Sequence, residues 1–118
     1  MSIQQWSDEI LLVDLTGEPA FSEEMMALQD KLDKLHAADR SHVVLDLSRV
    51  RTLNSTNLAQ LLRVRKVLSE HGHKLRICSV QDTVWTVFLV TGLDKIFQFR
   101  PDVPSALAGL QLEAGMGD

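Results

Sequence analysis

The segment "VVLDLSRVRTLNSTNLAQLLRVRKVL", Val43 to Leu68, changes its hydrophobic period partway along. It begins as a compact apolar run of strand length. It ends as an amphipathic helix whose apolar positions, Leu58, Leu61, Leu62, Val64 and Leu68, recur every three or four residues. The change falls at "NSTN", Asn54 to Asn57, four small polar residues. A chain that passes from buried strand to one-sided helix in so short a space has to stack a helix on a sheet.

The same alternation runs through most of the chain. "EILLVDLTGE" (Glu9–Glu18) is β-branched and aliphatic and leaves through Gly17, so it is predicted as a strand, with "IQQW" pairing to it as a hairpin across Ser7 and Asp8. Ser22 is the expected N-cap of a first helix, with Glu23 and Glu24 at its positive end and Met25, Leu28, Leu32 and Leu35 as its buried stripe, stopping near His36–Arg40. The strand "HVVLDL" and the second helix follow, the helix starting at Asn54 or Ser55 and capped at its far end by Gly72. "KLRICSV" alternates as a strand, with Leu75, Ile77 and Ser79 against Arg76, Cys78 and Val80. "QDTVWTVFLVTG" is a short apolar helix closed by Gly92, "FQF" a brief strand, and Pro104 opens a last helix. Four helices with four or five strands make an α/β domain built on one sheet. A single domain is expected over residues 1–110, with a flexible Gly-rich tail over 111–118.

Composition narrows the function. Twelve Lys and Arg against sixteen Asp and Glu give a net charge of −4, which offers nucleic acid or anionic lipid no general attraction. The N-terminus lacks a basic start followed by an apolar stretch, and no run approaches the roughly 20 apolar residues of a membrane span. One cysteine, Cys78, allows no internal disulfide. The expected location is therefore cytoplasmic.

Few motifs carry chemistry. The glycines are scattered singly, in neither a GxxxxGK[ST] nor a GxGxxG run, so no nucleotide cofactor is expected. His71 and His73 flank Gly72 without a Cys pair or HExxH, which is the pattern of a polar turn, not of a metal site. Ser55 and Thr56 lack a GxSxG context, so they are not expected to be nucleophiles. Arg49, Arg51, Arg63, Arg65 and Lys66 surround the polar turn in an otherwise acidic chain and suit a partner-facing surface. In the third helix, Val84, Val87, Phe88 and Thr91 are the expected buried stripe. Trp85 and Leu89, one turn apart, then form either more core or an apolar ridge that a partner covers. The turn itself holds more than a cap requires: Asn54 or Ser55 suffices, which leaves Thr56 and Asn57 without a task.

Three segments in order resemble a known family. "VVLDLSRVRTLNSTNLAQLL" is similar to the strand ending in Asp-Leu-Ser and the Asp-Ser-Ser-Gly-like helix mouth of STAS domains, shared by sulfate transporters and anti-sigma factor antagonists. "VTGLDKIFQF" (Val90–Phe99) resembles the family's Thr-Gly-Leu segment, and "VDLTGEPAF" (Val13–Phe21) its Leu-x-Gly-Glu entry into the first helix. The resemblance implies the STAS fold, one mixed sheet of four to five strands with about four helices. It also implies a non-enzymatic binding switch, in which an anti-sigma factor that is a serine/threonine kinase phosphorylates the second hydroxyl of the turn. A matching phosphatase reverses that step. Carried over, the acceptor is Thr56 with Ser55 before it, and Asn54 and Asn57 replace the usual Asp and Gly. With the cationic cluster and the ridge of the third helix, the expected partner-binding residues are Asn54, Asn57, Arg49, Arg51, Arg63, Trp85 and Leu89. Other small STAS proteins are constitutive cytoplasmic subunits of membrane transporter ATPases, without this phosphorylation. The two asparagines point toward that alternative.

Overall fold

The computed structural model describes residues 3–34 and 41–115, the last two by backbone alone. A hairpin of β1 (Ile3–Ser7) and β2 (Ile10–Thr16) leads into α1 (Ala20–Asp33). β3 (His42–Arg49), α2 (Ser55–Glu70), β4 (Leu75–Cys78) and α3 (Asp82–Thr91) follow. A short 3-10 turn, β5 (Phe99–Arg100) and α4 (Val103–Gly115) complete the chain. The five strands form one sheet in sequential order, antiparallel between β1 and β2 and parallel from β2 to β5. The mixed sheet and four helices expected from the sequence are present.

The alternation of side chains across the strands divides the interior in two. Leu11, Val13 and Leu15 of β2, Val43, Leu45 and Leu47 of β3, and Leu75 and Ile77 of β4 face α1, α2 and α3 in the larger core. Ile10, Val44 and Cys78 face Ala106, Leu107 and Leu110 of α4 in the smaller one. With helices on both faces, β4 is buried throughout and β3 is buried from His42 to Leu45 and at Leu47, as parallel strands usually are. That burial corrects the alternating pattern expected of Leu75–Cys78, where every residue including Arg76 is buried.

Helix boundaries follow their caps. Asn54, in extended conformation, caps α2, and Gly72 and Gly92 take left-handed backbones just past α2 and α3. Ser22 is not the cap of α1. That helix opens at Ala20, and the carboxylate of Glu18 lies ahead of it, accepting the Ser22 N–H at 2.8 Å and the Ser22 hydroxyl at 2.6 Å. Phe21, Met25, Leu28 and Leu32 form its buried face; Leu35 and the expected stop at His36–Arg40 lie outside the described residues. Leu62 is exposed, because Leu61, Val64 and Leu68 already fill the side of α2 toward the sheet. α4 continues as helix through residues 111–115.

Candidate functional site

The polar turn sits at the mouth of α2, beyond the carboxyl end of β3. Asn54 Oδ1 accepts the Asn57 N–H at 2.8 Å, and Asn57 Oδ1 accepts the Asn54 N–H at 3.1 Å. This reciprocal pair is a capping box with asparagine at both positions. Asn57 therefore has a task that its sequence position did not disclose. Its Nδ2 also donates to Glu18 Oε2 at 2.9 Å and to Gln60 Oε1 at 3.3 Å, while Gln60 donates to the Ser22 hydroxyl at 3.2 Å. The mouths of α1 and α2, 39 residues apart, are thus tied through one carboxylate. The Ser22 hydroxyl and N–H, then the Asn57 amide, hold the Glu18 carboxyl below its ordinary value.

These bonds leave Ser55 and Thr56 free. Both are exposed, at the first and second positions of the helix, and among the described residues neither hydroxyl has a hydrogen-bond partner. The site's geometry is a pre-capped helix N-terminus that presents two hydroxyls to solvent. Asn57, expected on the partner-binding face, is instead 2% exposed and acts from inside.

The cationic residues divide. Arg49 ends β3, exposed, and approaches Asp14 at 3.9 Å. Arg51 lies in the loop before the cap, and its carbonyl accepts the Thr83 hydroxyl at 2.8 Å. Arg63, seven residues past Thr56, returns to the same side of α2, since seven steps of 100° nearly close two turns. It lines a groove between α1 and α2 with Met25, Met26 and Gln29. Arg65 belongs to the opposite end of the helix, beside the start of β4.

The first turn of α3 abuts this loop. Ser79 leaves β4 with φ of 61°, a left-handed conformation that costs a non-glycine residue about 1–2 kcal/mol. Two residues later the Gln81 amide donates to the Ser48 carbonyl at 2.7 Å. Nothing in the sequence marked Ser79 as special. Trp85 and Leu89 do not share one environment. Trp85 is half-buried against the core, its ring edge-to-face on Phe99 at 5.0 Å, whereas Leu89 is 50% exposed beside Val90 at 80%. Thr91, expected to be buried, is exposed and returns its hydroxyl to the Val87 carbonyl at 2.8 Å.

No three metal-ligating side chains converge among the described residues, and none of the described helices is long and apolar enough to cross a membrane. Cys78 is buried, its thiol directed at the Leu45 carbonyl and pushed up to about 11 by desolvation, which leaves it an inert core residue.

Comparison with known proteins agrees with this architecture. The anti-sigma F factor antagonist of Paenibacillus polymyxa is 24% identical over 103 residues, spanning 87% of this chain and 88% of that protein. Among solved structures, an anti-sigma-factor antagonist (STAS) domain protein from Planctomyces limnophilus superposes with a TM-score of 0.76 at 17% identity, over 91% of this chain and 94% of that one. A variant of RsbS from Moorella thermoacetica gives 0.74 at 16% identity, over 97% and 99%. The sequence model of the STAS domain matches residues 4–106, nearly the whole sheet with α1 to α3 and the start of α4, and the chain belongs to the STAS domain family.

Proposed function

We propose that this chain is a non-enzymatic partner-switching regulator of the anti-sigma factor antagonist kind, acting in the cytoplasm. In this reading it binds an anti-sigma factor that is a serine/threonine kinase, and a phosphatase resets it. The observation that carries the reading is the pair of unattached hydroxyls at a helix mouth whose capping box is made by Asn54 and Asn57 without them. Phosphate on Thr56 adds about −1.5 to −2 charge and three acceptor oxygens where the helix dipole and the free N–H groups of the first turn favour an anion. The fold tolerates the group. A docked partner does not, because a dianion enclosed without a complementary charge costs several kcal/mol, and about 1.4 kcal/mol is tenfold in affinity. Arg51, Arg63 and the exposed Leu89 extend the binding surface around Thr56, with Asn54 at its centre. Trp85, half-buried, contributes through its outer edge.

The family resemblance of the relatives supports this reading, and the capping box removes the motive for the alternative. Asn54 and Asn57 pair with each other, and Asn57 also with Glu18, so their replacement of Asp and Gly is explained by local stability without invoking a constitutive transporter subunit. The test is incubation with the host's anti-sigma kinase and ATP, followed by peptide mapping. Phosphate on Thr56, and release of the partner in proportion to it, is the expected result. An active kinase that modifies neither Thr56 nor Ser55 overturns the mechanism, and recovery of a transporter ATPase from the native host favours the subunit reading.

A further inference from the structure

At the amino ends of the parallel strands, the end of the sheet away from Thr56, lies a cavity of about 330 Å³. That is the lower range of small-molecule sites. Arg65 enters it from α2, Lys74 and Arg76 from the start of β4, and Glu113 from α4, while Phe97 and Ile96 supply an apolar wall. Its charges do not balance. Lys74 reaches Glu113 at 3.7 Å, and the Arg76 Nη2 donates to both oxygens of the same carboxylate at 2.8 and 2.9 Å. Arg65 is exposed and has no ion-pair partner among the described residues. Among the described residues three cations thus face one carboxylate, a surplus of +2 within a chain of net charge −4.

Arg76 distinguishes this cluster from a solvated surface patch. Its side chain is 8% exposed, and its Nε is buried with no hydrogen-bond partner among the described residues. Nη1 donates to the Leu75 carbonyl at 3.0 Å, so Nη2, the donor now on Glu113, is the one a competing oxyanion can share, and a planar guanidinium suits such a group. Glu113, the group now on that fork, is 37% exposed and sits in the last turns of α4, where it can yield to a competing anion. We infer that this cavity binds a small molecule with a dianionic head and a compact apolar body. The head lies between Arg65 and Lys74 and competes with Glu113 for Arg76, and the body rests on Phe97 and Ile96. The site stands apart from Thr56 and does not depend on its phosphorylation.

An amide-resolved NMR titration of the full chain tests this, using phenyl phosphate and phthalate as probes of the phosphate and carboxylate forms of the head. Saturable shifts confined to residues around Lys74, Leu75, Phe97 and Gln98 are expected with at least one probe, the tighter one naming the head group. R65A combined with K74A removes only exposed side chains, so the fold should be retained, and affinity should fall about tenfold or more. E113Q, which keeps an acceptor for Arg76 while removing the competing charge, should bind several-fold more tightly. Absence of saturable shifts with both probes overturns the inference. So does unchanged affinity in the R65A/K74A chain, or phenol binding as tightly as phenyl phosphate.

Discussion

The two ends of the parallel strands are finished in different chemistry. Beyond the carboxyl ends, Asn54, Asn57, Gln60 and Ser22 bond one another around Glu18, a carboxylate that faces solvent. At the amino ends the polar groups are buried: Arg76 against Glu113, and His42 with its Nδ1 accepting the Lys74 N–H at 3.0 Å. Bonds around a solvent-facing carboxylate lose little to a further charge that water screens. Buried ions and a buried imidazole depend on their protonation and pairing. α2 spans the interval, 16 residues or about 24 Å, so the two exposed hydroxyls are held away from the buried polar groups at the other end of the sheet.

The largest stability effect is expected at the amino ends. Glu113→Ala leaves the Arg76 charge buried and unpaired. Because Glu113 is itself partly exposed, the cost is that of charged hydrogen bonds, about 2–3 kcal/mol, and not the full penalty of a sealed ion pair. Replacing both, Arg76→Met with Glu113→Leu, removes the stranded charge and should recover most of the loss in urea denaturation. A double variant as unstable as Glu113→Ala would show that packing, not charge, holds this end together.

Asn54→Ala comes next, at about 1–2 kcal/mol for a lost N-cap. The loss should be local, with hydrogen exchange accelerated in the first turn of α2 and unchanged in β3 and β4. Equal acceleration across the sheet would contradict the separation of the two ends.

What the sequence disclosed, and what it concealed, follows the same division by distance. The strands, the helices, the start of α2 and the terminating Gly72 and Gly92 depend on neighbours within a few positions, and period and turn chemistry reveal them. The task of Asn57 depends on Glu18, 39 residues earlier. The burial of Arg76 depends on a carboxylate 37 residues later and on α4 covering the second face of the sheet. Ser22 misled for a related reason. Its composition is that of a cap, but the oxygen that meets the first-turn N–H belongs to Glu18, four residues before it. At the candidate site the free hydroxyls were visible in advance as a surplus over capping, while the bonds that free them were not.

Titration sharpens the comparison, because the two ends respond in different pH windows. Desolvation, with His73 and then Lys74 and Arg76 nearby, holds His42 below its ordinary 6.5, against a smaller opposing pull from Glu9. Between that ordinary value and the lower folded one, the unfolded chain binds more protons. Stability at this end is therefore complete above about pH 6.5 and is lost as pH falls toward the folded value. Glu18, held below its ordinary 4.5, gives a contribution that persists until the pH falls below that value. Unfolding measured against pH should show the first decline near neutrality, and His42→Gln should flatten it while leaving the acid decline in place. A first decline unaffected by that substitution would assign it to another group.

Thr56→Ala should have the smallest effect on stability, within about 0.5 kcal/mol. Thr56 is exposed, its hydroxyl bonds nothing among the described residues, and alanine is the better helix former, so the fold has no reason to keep it. Thr56→Asp should be equally stable or slightly more so, since a carboxylate in the first turn gains about 0.3–1 kcal/mol from the helix dipole. The two variants should differ in partner binding, with alanine competent but beyond phosphorylation and aspartate weakened. Matched thermal melts and binding titrations of the pair, set beside Asn54→Ala, separate the roles within one turn. If Thr56→Ala loses the same ~1–2 kcal/mol as Asn54→Ala, the hydroxyl is part of the cap. A residue the helix needs is not free to serve as the switch.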